Sequence, residues 1–278
     1  MLPNFDNTEI AFKYRSNRDL RRANFLFTSM ASPSITRIGM GLTKFAFDHS
    51  LPIKWFIKET IFKQFCGGEN LAETAATADT IAKYGVSTIL DYSVEGKEEE
   101  EEFDHAVEQL KKTIEYAVSQ KPNVPFISLK PTGFGRFALL EKWADGVVLS
   151  DVEQAEKARI EARIDAICQE ASLQQIGVLI DAEESWIQNA VDEVANKMME
   201  RYNRTSAIVY NTFQLYCHAR LTYLRESAEH AATNAYILGA KLVRGAYMEK
   251  ERERALEMGY ESPIQKDKEA TDNDYDAA

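Results

Sequence analysis

Two hydrophobic periodicities divide the chain. Up to about residue 85, apolar positions recur at helical spacing: in the charged "YRSNRDLRRANF", in an amphipathic stretch over residues 41–65, and in "GENLAETAATADTIAKYG", which stops at Gly85. Beyond it, short apolar and β-branched runs alternate with long helical ones. The runs are "VSTILDYS", "PFISLK", "QIGVLIDAEE", "SAIVYN" and "AKLVRG". The helical segments between them are residues 98–120, "RFALLEKWADG", residues 152–171, "SWIQNAVDEVANKMMERY" and "LYCHARLTYLRESAEHAATNAYILG". Strands alternating with helices of this length predict parallel βα units buried on both faces.

Strand starts at Ser87, Pro125, Gln175, Ser206 and Ala240 are spaced by 38, 50, 31 and 34 residues. The second gap holds an extra helix. The others resemble the repeat of a (βα)8 TIM-like barrel, roughly 30 residues per unit. The pattern therefore predicts an α/β chain with about five βα units, preceded by N-terminal helices. A doubly wound nucleotide-binding sheet is the rival, but the first strand leads into "DYSVEG", which has no Gly-rich turn for a pyrophosphate.

Each predicted strand ends in a polar residue: Asp91, Lys130, Asp181, Asn211 and Arg244. In a parallel barrel such positions converge on the C-terminal mouth, where active sites sit. Helix caps also place polar residues there, yet Lys and Arg are poor caps. Asp181 reads both ways, because in "LIDAEES" it can cap a helix with Glu184 completing a capping box. Around Arg244 the sequence is "AKLVRGAYMEKERERA". Two cations flank Leu242 and Val243, and Gly245 and Ala246 then allow close approach to the backbone. These residues alone point to a ligand site at a barrel mouth, suited to an anionic or electron-accepting partner; the alternative is a plain barrel strand whose Lys and Arg snorkel to solvent.

Composition narrows the chemistry. A net charge of −11 disfavours nucleic acid. His49, His105, His218 and His230 lack ligand spacing, so no metal site is expected, even beside Asp181, Glu183 and Glu184. The run Glu98 to Glu102 reads as a solvated first turn of a helix. Cys66, Cys168 and Cys217 read as buried free thiols in a reducing compartment. No secretory signal is visible and no apolar run spans a bilayer, because Lys44, Asp48, Lys54, Lys58 and Lys63 interrupt the best candidate. A cytoplasmic protein is expected. The aromatics and lysines of that candidate suit a membrane surface as the alternative to packing against the rest of the protein.

The segments "LKPTGFGR", "IGVLIDAEE", "VYNTFQLY" and above all "KLVRGAYMEKERERALEMGYESPI" resemble the flavin-dependent proline dehydrogenase family. The resemblance runs from about Gly68 to the end, which sets an N-terminal helical region at 1–67 and a partial (βα)8 catalytic barrel at 68–278, with a helical insertion around 147–174. It implies an FAD enzyme that oxidises L-proline to 1-pyrroline-5-carboxylate, with a quinone or other acceptor reoxidising the flavin. Lys130 is then expected to hold the proline carboxylate and Asp181 to order the pocket. Leu242, Ala246 and Tyr247 are expected against the proline ring, and Glu95 near a substrate-binding arginine. Lys241, Val243, Arg244, Gly245 and Ala246, with Ala182 and Asn211, are expected along the flavin. The catalytic set is Asp181, Lys241, Lys130 and Tyr247. Lys241 stands where arginine is frequent in the family, which removes a bidentate fork.

The family barrel has eight strands, and here the pattern yields five. The remaining units, about 90 residues at this repeat, would carry further flavin contacts and an arginine pair for the carboxylate. A C-terminal remainder of the same polypeptide is therefore expected, and residues 1–278 alone are expected to be inactive. The rivals are a 4-hydroxyproline dehydrogenase and a degenerate barrel used as a binding module.

Overall fold

The computed structural model describes residues 6–49, 51–92, 96 and 98–278, and the chain divides into two compact units, Met1–Ser87 and Thr88–Ala278. Every regular element described in the first unit is helical: α1 (Thr8–Ala11), α2 (Asn17–Met30), α3 (Pro33–Asp48), α4 (Lys54–Ile57), a π-helical turn over Lys58–Phe62, α5 (Lys63–Phe65) and α6 (Leu71–Ala82). The single helix anticipated over 41–65 is broken. The chain leaves α3 at His49 and re-enters a helix only at Lys54. Pro52 lies between; it lacks an N–H and disfavours helical geometry in the residue before it.

In the second unit the order is β1 (Ile89–Asp91), α7 (Glu100–Ser119), β2 (Phe126–Leu129), a 3-10 turn over Pro131–Gly133, α8 (Phe137–Ala144), α9 (Asp151–Gln174), β3 (Gly177–Ile180), α10 (Ser185–Tyr202), β4 (Val209–Gln214), α11 (Arg220–Thr233), β5 (Ala240–Val243), α12 (Met248–Met258) and α13 (Lys268–Ala277). The five strands pair in parallel in the order β1-β2-β3-β4-β5. A doubly wound sheet reverses its strand order at a switch point, and this one does not. Sequential parallel order with helical crossovers is the topology of a (βα) barrel, five units of which are present.

Local chemistry explains the boundaries. The extra helix α9 starts at a capping box, in which the Ser150 hydroxyl accepts from Glu153 N–H and the Glu153 carboxylate accepts from Ser150 N–H at 2.9 Å. Helix α12 stops at Gly259, whose φ of 74° suits a residue without Cβ. The core lies between the sheet and α7–α10, where Leu110, Ile127, Ile160, Ile180 and Val191 are fully buried. A second apolar cluster, Phe213, Leu215 and Leu224, joins β4 to α11. Cys168 and Cys217 are buried as expected, but Cys66 is exposed.

Asn203, just after α10, is completely buried and uses its whole amide. Its Oδ1 accepts from Ile208 N–H and Val209 N–H at 2.9 and 2.8 Å, and its Nδ2 donates to the carbonyls of Val209 and Ile237 at 2.8 and 2.9 Å. One side chain thus ties the start of β4 to the segment that leads into β5. Asn203→Ala would strand several buried backbone groups. It is expected to cost on the order of 3 kcal/mol, read as a lower midpoint in urea unfolding; an unchanged midpoint would show that the clamp is dispensable.

Candidate functional site at the strand ends

Because the sheet is parallel, every strand delivers its last residue to the same rim. Lys130 follows β2, Asp181 follows β3, Gln214 ends β4 and Arg244 follows β5. Hydrogen bonds join these ends in sequence. Thr132, in the turn after Lys130, donates its hydroxyl and its N–H to the Glu183 carboxylate at 2.7 and 3.3 Å. The Glu183 carbonyl accepts from Gln214 Nε2 at 2.6 Å, and Gln214 Oε1 accepts from Ala246 N–H at 3.1 Å. Lys241, near the start of β5, reaches across to Asp181 at 2.6 Å.

The acidic segment after β3 is matched residue by residue. Asp181 is paired with Lys241, Glu183 with Thr132, and Glu184 with Lys250 at 2.8 Å. The start of α10 is capped from another element: Glu251, fully buried in α12, accepts from Ser185 N–H and Oγ, both at 2.6 Å. This overturns the capping-box reading of Asp181. Helix α10 begins at Ser185, so Asp181 lies too far upstream to cap it.

Burial moves two of these carboxyls. Glu183 is pushed up to about 7, mainly by burial and secondarily by Glu184, against the opposing pull of Thr132 and Lys130. Asp181 is also raised, first by burial and then by Asp91, while the Lys241 hydrogen bond and charge and the Lys130 charge hold it down.

On the β5 side the sequence 244–247 lines a cavity of about 770 Å3, with Tyr216 and Lys250. Gly245 sits at φ +141°, and a Cβ there would lie 2.4 Å from the Tyr216 ring. No other residue fits without displacing that ring. The Tyr216 hydroxyl accepts from Tyr247 N–H at 3.2 Å, which fixes the turn into α12. Arg244 is exposed and held by Asp272 at 2.5 Å, with its guanidinium 4.3 Å from the Tyr275 ring centroid. Ala182 is buried, and Val243 lies on the same strand face as Lys241.

Two expected site residues do not reach the rim. β4 runs three residues past Asn211, which is buried in mid-strand and donates to Asp192 of α10 at 2.8 Å. Asp192 also takes a bidentate pair from Arg220 and a bond from Gln188, so Asn211 belongs to the layer between sheet and helices. The polar residue at the end of β4 is Gln214, and the alternation of apolar Val209, Phe213 and Leu215 was the signal for the longer strand. Leu242 packs against the apolar cluster of Phe213, Leu215 and Leu224 instead of lining the mouth. Glu95 lies outside the described residues.

The pair of Asp181 and Lys241 yields a test. An acid raised in the folded state favours folding below its ordinary range and costs stability as pH rises through its folded value. Lys241→Met removes the group that limits this cost. The variant is expected to lose about 2 kcal/mol at neutral pH and less at acidic pH. Adding Asp181→Asn should recover most of the loss in a double-mutant cycle; no coupling would show that the two act independently.

Comparison with known proteins gives the family and the fold. The family described as "Proline dehydrogenase" matches residues 74–278. The carbapenem antibiotics biosynthesis protein CarD of Pectobacterium carotovorum subsp. carotovorum is 35% identical over 188 residues, which are 68% of this chain and 50% of that protein. Proline dehydrogenase 1, mitochondrial, of Dictyostelium discoideum is 30% identical over 268 residues, covering 82% of this chain and 47% of that one. The chain therefore spans about half the length of these curated relatives. Among solved structures, proline utilization A (PutA) from Bdellovibrio bacteriovorus, inactivated by N-propargylglycine, aligns with a TM-score of 0.69 at 16% identity, over 81% of this chain and 25% of that one. At that identity the likeness establishes the fold.

Proposed function

The chain belongs to the proline dehydrogenase family, and from that premise we propose that the protein oxidises L-proline to 1-pyrroline-5-carboxylate with FAD as hydride acceptor. The observation that supports this most is the convergence on one rim of Lys130, the Asp181–Lys241 pair and the Gly245–Ala246 backbone. The substrate class demands such a set: a cation for a carboxylate, a fixed polar wall, and a small-residue floor open to a flat ring.

The residues present fit a flavin. The cavity of about 770 Å3 is lined by Gly245 and Ala246, which present backbone without bulk, and by the cations Arg244, Lys250, Arg252 and Lys268, which outnumber the lining acids Glu249 and Asp267 and suit a pyrophosphate. Arg244 and Lys268 share Asp272, and in this role they would exchange that partner for the cofactor, while Lys250 stays paired with Glu184. When bound, FAD supplies the two-electron acceptor for the C–H bond beside the proline nitrogen. The chain's own groups do the placing. Lys130 receives the carboxylate. Asp181 fixes Lys241, so that the ammonium is held at the mouth and does not swing into solvent. Gln214 holds Ala246 N–H, and Tyr216 holds Tyr247 N–H, so the floor keeps its shape.

For reoxidation we infer a membrane quinone reached from the bilayer surface. The first unit supports this: residues 13–65 carry ten Lys or Arg against three Asp or Glu, in a chain of net charge −11. Its apolar residues include the exposed Phe45, Trp55 and Phe56, and none of the described helices is long and apolar enough to cross a membrane. Co-sedimentation with anionic vesicles, lost at high salt, is the expected result; equal binding to neutral vesicles would remove the electrostatic part of this reading.

The full-length protein should purify yellow, with flavin absorbance, and reduce an artificial acceptor with L-proline in preference to 4-hydroxy-L-proline. Lys130→Ala should raise KM for proline by tenfold or more, since a charge-assisted contact contributes about 1.5–3 kcal/mol, with a smaller change in kcat. A colourless protein that binds NAD would end the proposal, and an unchanged KM would remove Lys130 from the carboxylate site.

A further inference from the structure

Glu183 is the buried group at the rim whose role the proposed chemistry leaves open. Only 4% of the residue is exposed, yet it carries a carboxyl. Its carboxylate grips one turn: the segment from Lys130 to Gly133, closed by a Gly133 N–H to Lys130 carbonyl bond at 2.9 Å. In such a turn the N–H of the third residue has no partner within the turn. Here that N–H belongs to Thr132, and Glu183 accepts from it and from the Thr132 hydroxyl with separate oxygens. The backbone of Glu183 is itself pinned by Gln214. The turn that begins with Lys130 is thus anchored to β3 and, through β3, to β4.

The clamp does not need a charge. A neutral carboxyl can accept Thr132 N–H on one oxygen and donate its proton to the Thr132 hydroxyl from the other. A charge there matters in a different way. The ionised groups around it are Lys130 from the β2 turn, and Asp181 and Glu184 on its own segment, with Lys250 of α12 neutralising Glu184 and Lys241 of β5 neutralising Asp181. An ionised Glu183 would set an anion beside the cation meant for a substrate carboxylate.

We propose that Glu183 is a positioning residue with a titratable charge: it clamps the Lys130 turn in both protonation states, and its ionisation weakens the hold of the mouth on the carboxylate of its substrate. This rests on the proposed proline reading for the identity of that substrate. Burial, which brings Glu183 to about 7, puts the change within the neutral range. Linkage makes the effect reciprocal, so a bound carboxylate must make Glu183 harder to ionise.

The test uses the full-length, flavin-loaded protein, with kcat and KM for L-proline measured from about pH 5.5 to 8.5. In the wild type, KM should rise on the order of tenfold through neutrality, the effect of one pKa unit of coupling. Glu183→Gln keeps both bonds to Thr132, accepting the N–H and donating to the hydroxyl, without the charge. It should show a low KM lacking that rise, with kcat following the wild-type profile. Glu183→Ala loses the clamp and should show a raised KM at every pH. A Gln variant that retains the wild-type rise, or an Ala variant that matches the Gln variant, would overturn the inference. Carbon-13 NMR of labelled glutamate carboxyls gives a readout independent of turnover. A signal titrating near neutrality, shifted up by proline and missing from Glu183→Gln, is expected; a Glu183 midpoint in the ordinary carboxylate range refutes the inference. A wild type that binds flavin but does not turn over proline would sink the proposed function, and the NMR midpoint would then decide the case of Glu183 alone.

Discussion

Removing a carboxyl group from water is costly in folding, most of all when it is ionised, and the rim of this sheet does it repeatedly. Asp181, Glu183, Glu184 and Glu251 are all withdrawn from solvent to differing degrees at the ends of β3 and α12. Each is tolerated because a different element supplies its partner: β5 through Lys241, the β2 turn through Thr132, α12 through Lys250, and the first turn of α10 through Ser185. None of these partners is a neighbour in sequence. The rim therefore exists only when β2, β3, β5 and α12 are all in place, which makes the site a product of the whole second unit.

The layer beneath the rim follows the same rule in a drier setting. Asp192 is buried between α10 and β4 and is satisfied by Arg220, Gln188 and Asn211 together. Arg220 also lies 4.3 Å from the Tyr223 ring centroid, so its flat cation is held from the side as well as from the front. A buried ion pair of this kind contributes little net stability compared with apolar packing, but losing one partner leaves the other uncompensated. Its effect is on specificity of arrangement, fixing how α10 and α11 sit on β4.

The sequence pattern carried the alternation of strands and helices, the parallel sheet and most of the rim, because period and spacing are local properties. Lys130, Asp181 and Arg244 were legible as strand-end residues for that reason. Asn211 was read as a strand end because it is a polar residue after "AIVY"; the apolar Phe213 and Leu215 beyond it were the signal that the strand continues, and pairing with β5 carries it to Gln214. Leu242 was expected at the mouth from the resemblance, and its register opposite Phe213 sets it against the apolar cluster of β4 and α11. The partner of Asp181 lay 60 residues away in Lys241, a distance across which no local pattern operates. Glu183 went unread as a turn clamp for the same reason, since Thr132 is 51 residues upstream.

The fully engaged amide of Asn203 has a consequence for how the protein ages. Asparagine side chains hydrolyse slowly to carboxylates, and the fold holds this one immobile, which protects it while the protein stays folded. An unfolded molecule has no such protection. Hydrolysis there would turn two donors into acceptors facing the carbonyls of Val209 and Ile237, a mismatch that no side-chain rotation repairs. A chain damaged at this position while open could not close β4 and the lead-in to β5 in their native arrangement, so time spent unfolded becomes a chemical clock on the protein's ability to return.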